Sequence, residues 1–322
     1  MHPARQMGLT IQEYFSRPMY VVEGQKRLHA RFGNDILCCY PFAALEMLAW
    51  GGEVIYFDNG PPNAGAPIIR RPEDIRALEP PEVKRIPSLQ AVLTATADLK
   101  AAVGDDIPIA GVVVSPCALP IMQMGFESYL DLIYTHPDLL AHLLRVNSEY
   151  CIAWAKAQLA AGASAIMYSA PTCSPTIMAG DFIHQYSLPT AQEVISRIHG
   201  PVMLHLASGR GLPLVDDFAQ AGFVGMSVSA EEDIGELKAA CRGQLAAVGN
   251  LNALAMRHWS QMDAEAEVKK AIAGAGRGGG FVLADNHGEI PFVVDEDVLL
   301  AVAEAVRHWG QYPLDWVSSY EA

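Results

Sequence analysis

The sequence predicts an α/β protein, a (β/α)8 TIM barrel with a loop-rich N-terminal extension. Three observations lead there. Short uninterrupted apolar runs recur from residue 107 onward, and longer amphipathic stretches lie between them. The 322 residues also suit a barrel of this kind, which commonly exceeds about 250 residues as one domain.

The apolar runs are IPIAGVVV (107–114), AIMYSA (165–170), VMLHLA (202–207), FVGMSVS (223–229), LAAVGN (245–250) and FVLADN (281–286). Runs of this length bounded by Gly, Pro or Asn are how buried parallel strands read. DILCCYPF (35–42) supplies a seventh strand, the segment near 86–95 reads either way, and closure through an eighth strand is inferred. Between the runs, SYLDLIYTHPDLLAHLLRVNSEYCIAWAKAQLAAGA splits into two helices at Pro137, and LPLVDDFAQAG ends on the glycine that a helix C-terminus favours. Such alternation implies a parallel sheet. The first hundred residues carry GPPNAGAP and EPPEVKRIP and too little periodic apolar pattern for a core of their own, so residues 1–322 read as one domain.

Apolar residues make up 51% of the chain and charged residues 18%, which predicts a large core and little disorder. The net charge of −14, without any basic cluster, excludes nucleic acid and anionic membrane surfaces as expected partners. The N-terminal MHPARQMGLTIQEYF has no signal-peptide apolar region, and no run is long enough to span a bilayer, so a cytoplasmic protein is expected. Six scattered cysteines with no CxxC pair fit reduced thiols in core packing.

In a β/α barrel, polar residues at the C-terminal ends of strands read as functional. That rule selects Ser115, Cys117, Tyr168, Ser169, His205, Ser229, Asn250 and the cluster Asp285, Asn286, His287. His205 interrupts an apolar strand; it is either a core histidine satisfied by a carbonyl or a ligand or general acid facing the barrel axis. In ADNHGEIP, extended backbone would place Asp285, His287 and Glu289 on one side. Two carboxylates and an imidazole are costly to bury unless they bind a metal, pair or touch substrate; otherwise the segment is a solvated loop. His205, His287 and a carboxylate would meet the ligand types of a catalytic zinc site. Glu46, in FAALEMLAWGGEV, falls at a buried-looking helical position, whereas GRGGG (276–280) precedes a strand and makes a poor phosphate cradle.

The ordered set GGEVIYFDNGPPNAGAPIIRRPEDIRALEPP, SPTIMAGDFIHQYSLP, HLASG, LAAVGNLNAL and GGGFVLADNHGEIPFVVDEDVLLAVAEAVRHWGQYP resembles the uroporphyrinogen decarboxylase and corrinoid-methyltransferase superfamily over nearly the whole chain. The resemblance implies the barrel fold and one of two activities: decarboxylation of porphyrinogen acetate arms, or methyl transfer to or from corrinoid carrier proteins, commonly through zinc. The decarboxylases' Arg-rich N-terminal motif is not evident, and their Phe-Ser-Asp aspartate falls on Phe42. His287-Gly288 resembles the decarboxylase His-Gly dipeptide, where the methyltransferases carry a zinc-binding cysteine. Their His-x-Cys reads His205-Leu206-Ala207 here.

Without those thiolates a zinc site would be a harder Lewis acid, suited to an oxygen or nitrogen leaving group rather than a thiol. The resemblance therefore implies a methyltransferase moving a methyl group from a small O- or N-methylated compound to a corrinoid on a partner protein, since no corrinoid-binding Asp-x-His-x-x-Gly motif occurs in the chain. In this reading His205, His287 and Glu289 are catalytic. His205, His287, Asp285 and Glu289 are the candidate zinc ligands, Glu46, Cys117, Tyr168, Ser169, Arg210 and Asn250 line the pocket, and a homodimer is allowed. The rivals are a carboxy-lyase gripping acids through Arg210, Arg5, Arg17, Arg27 or Arg31, and a non-catalytic barrel subunit.

Overall fold

The computed structural model describes residues 1–320; Glu321 and Ala322, the end of the expected domain, lie outside the described residues. Strands β1 (Leu37–Cys38), β4 (Ile109–Val114), β5 (Ala165–Ser169), β6 (Val202–His205), β7 (Gly225–Ser227), β8 (Ala246–Val248) and β9 (Phe281–Val282) form one seven-stranded sheet in that order. Every pairing in it is parallel. A separate antiparallel pair, β2 (Val54–Ile55) with β3 (Asn63–Ala64), sits between the first two. Among the described residues no ladder joins β9 to β1, so the sheet has seven strands and is not closed by backbone hydrogen bonds.

Helices cross between successive strands: Pro87–Val103, Pro137–Ala160, Leu188–Ile198, Val215–Gln220, Ile234–Cys241 and Gln261–Ala275, with Glu296–Trp309 after β9. Pro137 opens its helix as expected, and the ambiguous 86–95 segment is helical. Local chemistry sets the ends. The Ser260 hydroxyl accepts the Asp263 amide while Asp263 accepts the Ser260 amide, a reciprocal cap for Gln261–Ala275.

The N-terminal extension departs from expectation. Residues 1–32 are mostly helical, as His2–Gln6, Ile11–Ser16 and Pro18–Phe32, and the loop-rich portions are 33–42, around β1, and the Gly- and Pro-bearing stretch that follows Trp50. Short helices with only a few apolar positions each give a weak periodic signal, yet Ile11, Tyr14, Phe15 and Val21 bury against the main core.

The alternation of strand residues fixes what can face the interior. Val113, Tyr168, Leu204, Met226, Ala247 and Phe281 stand in one register row, and Val114, Ser169, His205, Ser227, Val248 and Val282 in the next. The first row lies on the face turned to the helices. On that face, a Cβ added at Gly111 would come within 2.9 Å of the Gln158 side chain from Pro137–Ala160. The second row lines the inside of the sheet at its C-terminal end.

Because β1 is two residues long, the upper half of β4 has no strand beside it. Side chains take the strand's place. Gln158 accepts the Val112 amide at 2.9 Å and donates to the Val112 carbonyl at 2.8 Å, and buried Glu46, on the Ala43–Trp50 turn, accepts the Val114 amide at 2.8 Å. Replacing Gln158 by Leu strands both Val112 backbone groups in the interior. Urea unfolding of that variant is expected to show a loss of about 2–4 kcal/mol with an unchanged m-value.

Candidate active site

The His205 ring closes the interior row. Its Nε2 lies 3.1 Å from the His287 carbonyl and its Nδ1 2.8 Å from the Ser227 hydroxyl. A carbonyl only accepts, so the proton sits on Nε2, and the Ser227 hydroxyl donates to the Nδ1 lone pair. Burial lowers the pKa of His205, with the Asp285 carboxylate and the His287 carbonyl pulling the other way, which keeps the ring neutral.

Two consecutive non-glycine residues with left-handed backbone follow, Ala207 at φ 48° and Ser208 at φ 70°. Such geometry costs about 1–3 kcal/mol per residue and needs fixing from outside. Asn286 supplies much of that. Its carbonyl accepts the Ser208 amide at 3.1 Å, its side-chain amide donates to the Ser208 hydroxyl oxygen at 3.0 Å, its Oδ1 accepts the Ala253 amide, and its own amide donates to the Leu251 carbonyl. Ser208 in turn holds His287 through Nδ1 at 2.9 Å.

The loop after β9 folds back as a turn. Asp285 Oδ1 accepts the amides of His287 and Gly288 at 2.9 and 2.6 Å. Gly288 has φ 81°, and a Cβ there would lie 2.9 Å from His205 Nε2, so both backbone and space demand glycine. The turn leaves His287 exposed and Glu289 partly buried. Burial pushes the Glu289 carboxyl up to about 7, the Met1 amino group opposing and Asp285 reinforcing the shift.

The candidates fall into two groups. His205, His287, Asp285 and Glu289 come together around the β6 and β9 ends, and Ser169 stands beside His205 in the interior row. The turn in the backbone, however, replaces the extended run that would have aligned Asp285, His287 and Glu289.

Tyr168 is one position out of phase with Ser169. It is 1% exposed and packs its ring against Phe223 on the helix side, so it lines no interior pocket. Cys117 is buried in a second cluster with Tyr129 and Leu143, and burial pushes its thiol up to about 12. Asn250 spends its amide on the carbonyls of Ser229 and Glu232. Arg210 is exposed and paired with Glu231 at 2.7 Å. Glu46 is buried, where burial raises its carboxyl to about 8 against the Val114 amide, so it is a neutral acid bracing β4 rather than a pocket wall.

The arrangement does not fit a zinc ion. Both His205 nitrogens are engaged, and Asp285 accepts two amides. Among the described residues no three His, Cys, Asp or Glu side chains converge as a ligand set.

Sequence reasoning misses Ser227 and Ser208, and reaches Gly288 only as half of the His-Gly dipeptide. Aligning the strand ends would have found Ser227, which shares His205's register row. Ser208 lies three residues beyond His205, and its role depends on backbone dihedrals that no pattern announces.

The family model described as Uroporphyrinogen decarboxylase (URO-D) matches residues 2–309. A methylcobamide:CoM methyltransferase, MtaA, of Methanosarcina barkeri is 29% identical over 238 residues, 73% of this chain and 68% of that one. A uroporphyrinogen decarboxylase of Nitrosomonas europaea is 26% identical over 303 residues, covering 90% and 83%. Among solved structures, a methyltransferase from Methanosarcina mazei superposes with a TM-score of 0.87 at 23% identity, covering 96% of this chain and 90% of its own, a likeness of fold. No helix among the described residues is long and apolar enough to cross a membrane.

Gly288→Ala should lower stability by roughly 1–3 kcal/mol and displace the His205 ring, read as a change in imidazole nitrogen shifts together with the urea midpoint. A second expectation concerns pH. A carboxyl whose folded pKa is raised stabilises most below its unfolded value of 4.5 and loses that contribution as pH rises through its folded value, about 7 for Glu289 and about 8 for Glu46. Unfolding midpoints should fall as pH rises from about 4.5 to about 8, and Glu289→Gln should roughly halve the slope below about 7 while leaving the fall between about 7 and 8 that belongs to Glu46 alone.

Proposed function

The chain belongs to the uroporphyrinogen decarboxylase (URO-D) family, and from that premise we propose that it is a methyltransferase taking a methyl group from a small O- or N-methylated compound to a corrinoid on a partner protein. The whole chain acts as one catalytic unit in this reading. The observation that carries it is the Asp285–Glu289 turn packed over His205. It presents an exposed imidazole and a carboxyl that titrates near neutrality beside the strand ends. The likeness to the methylcobamide:CoM methyltransferase MtaA supports methyl transfer and a methylcobamide partner.

Methyl departure from oxygen or nitrogen leaves a basic atom that needs a proton. Glu289, half protonated near pH 7, is suited to supply it, and His287 is the exposed group beside it. His205 does not exchange protons in this scheme. Its neutral ring fixes the His287 carbonyl and so the turn. The corrinoid, when docked on its carrier, would supply the nucleophile that accepts the methyl group. The absence of a thiol at Ala207 and His287 is the reason for preferring oxygen or nitrogen donors over thiol methylation.

The rivals receive less support. The arginines that a carboxy-lyase would use are engaged elsewhere: Arg27 with Glu23, Arg31 with Glu296, Arg210 with Glu231, while Arg5 and Arg17 lie over the rings of Phe292 and Tyr20. A non-catalytic subunit would need no fixed relation between the two histidines, yet the His205 ring is bonded to the His287 main chain.

The test is to incubate the protein with a reduced corrinoid protein and a panel of methyl ethers and methylamines, following the corrinoid's visible spectrum. Turnover is expected with at least one donor. Glu289→Gln and His287→Ala should each lower kcat by about 10²-fold or more, and Glu289→Gln should also abolish the loss of rate above about pH 7. Carbon dioxide release from carboxylated pyrroles without any methyl transfer would overturn the reading.

A further inference from the structure

On the helix Gln261–Ala275 stands a half-buried cation, Lys269, that the candidate active site does not use, flanked by aromatic rings from the end of Glu296–Trp309 and the segment after it. Lys269 Nζ lies 3.9 Å from the centroid of the Trp309 ring, 5.2 Å from that of Tyr320 and 5.4 Å from that of Trp316. The rings are set at steep angles, with Trp309 and Trp316 at 62° and Trp316 and Tyr320 at 81°, so they form walls rather than a stack. Trp309 is at the far end of a 14-residue helix from the β9 loop, about 20 Å away at 1.5 Å per residue.

Two ring N–H groups hold the walls independently of the lysine. Trp309 Nε1 donates to Glu265 Oε1 at 2.9 Å, and Trp316 Nε1 donates to the Trp309 carbonyl at 3.0 Å. Glu265 stands one helical turn before Lys269 and adds a negative charge beside the box. Among the described residues, no ion pair or hydrogen bond engages Lys269 Nζ, which stands half-buried with the three ring faces around it. A primary ammonium is strongly hydrated and loses those bonds on entering such a box. A quaternary ammonium has no N–H to leave unsatisfied and is recognised by aromatic cages.

We propose that Trp309, Trp316 and Tyr320 form a binding site for a quaternary alkylammonium group, which Lys269 occupies as a built-in competitor. Tethering gives the lysine an effective concentration on the order of millimolar, so the intact protein binds such an ion weakly and removal of the side chain unmasks the site.

The experiment titrates wild type, Lys269→Ala and Lys269→Gln with tetramethylammonium chloride against sodium chloride of equal ionic strength, following tryptophan fluorescence and heat. Lys269→Gln keeps most of the aliphatic stem, so loss of fold in one variant leaves the other to decide. Saturable binding is expected in the variants, at least about ten-fold tighter than in wild type, and Trp309→Ala added to either variant should abolish it. Free choline and phosphatidylcholine vesicles then distinguish a soluble ligand from a membrane headgroup. The proposal fails if folded Lys269 variants show no saturable response beyond that to sodium, or if the Trp309→Ala double variants bind as tightly as the single ones.

Discussion

A neutral imidazole buried at the end of a strand must satisfy one donor and one acceptor, and around His205 that requirement organises three chain segments. The donor nitrogen selects the His287 carbonyl, which draws the β9 loop back over the sheet. The acceptor nitrogen selects a hydroxyl on the neighbouring strand, Ser227. Once the loop is drawn in, its next residue has room for a hydrogen atom only, so Gly288 follows from the position of the ring. Leaving either nitrogen unpaired would cost about 1–3 kcal/mol, comparable with the strain that the Ala207–Ser208 backbone stores nearby.

The same economy governs the loops on either side. Asn286 connects the ends of β6, β8 and β9 through four hydrogen bonds, and Glu232 accepts the amides of Gly211 and Leu212 from the loop after β6. The mouth is thus a set of loops tied by polar side chains to one another's backbones. The groups left outside this network are few, and they include the His287 ring edge and the Glu289 carboxyl. A rigid rim with a small number of titratable groups is what positioned proton transfer needs, since geometry precedes pKa in deciding which group can act.

Strand order and parallel pairing were legible because β-branched and aliphatic runs alternate with amphipathic helices. The six later runs each contain a strand, trimmed at the ends where Pro or Asn takes over, and 35–42 contributes β1. The site was legible only as a neighbourhood. His205 and the 285–289 cluster are adjacent, but Tyr168, one position out of phase with Ser169, faces the helices, because side chains at a strand end alternate between its two sides. The helical N-terminus escaped notice because its apolar positions are supplied by several short elements. The expected metal was an inference from residue types; hydrogen-bond partners that occupy the same lone pairs are visible only in three dimensions.

The side chains standing beside β4 also bear on how the molecule behaves among copies of itself. A short β1 would ordinarily leave two rungs of an inner strand open to pairing with any extended chain that reached them. Gln158 presents an amide to Val112 as a neighbouring backbone would, and Glu46 does the same for Val114 with one carboxyl oxygen. Both are anchored within the fold, on a long helix and a tight turn respectively, so the open rungs are capped before an intruding strand can find them. The protein has in this way traded the continuity of its sheet beside β4 for protection against aggregation there.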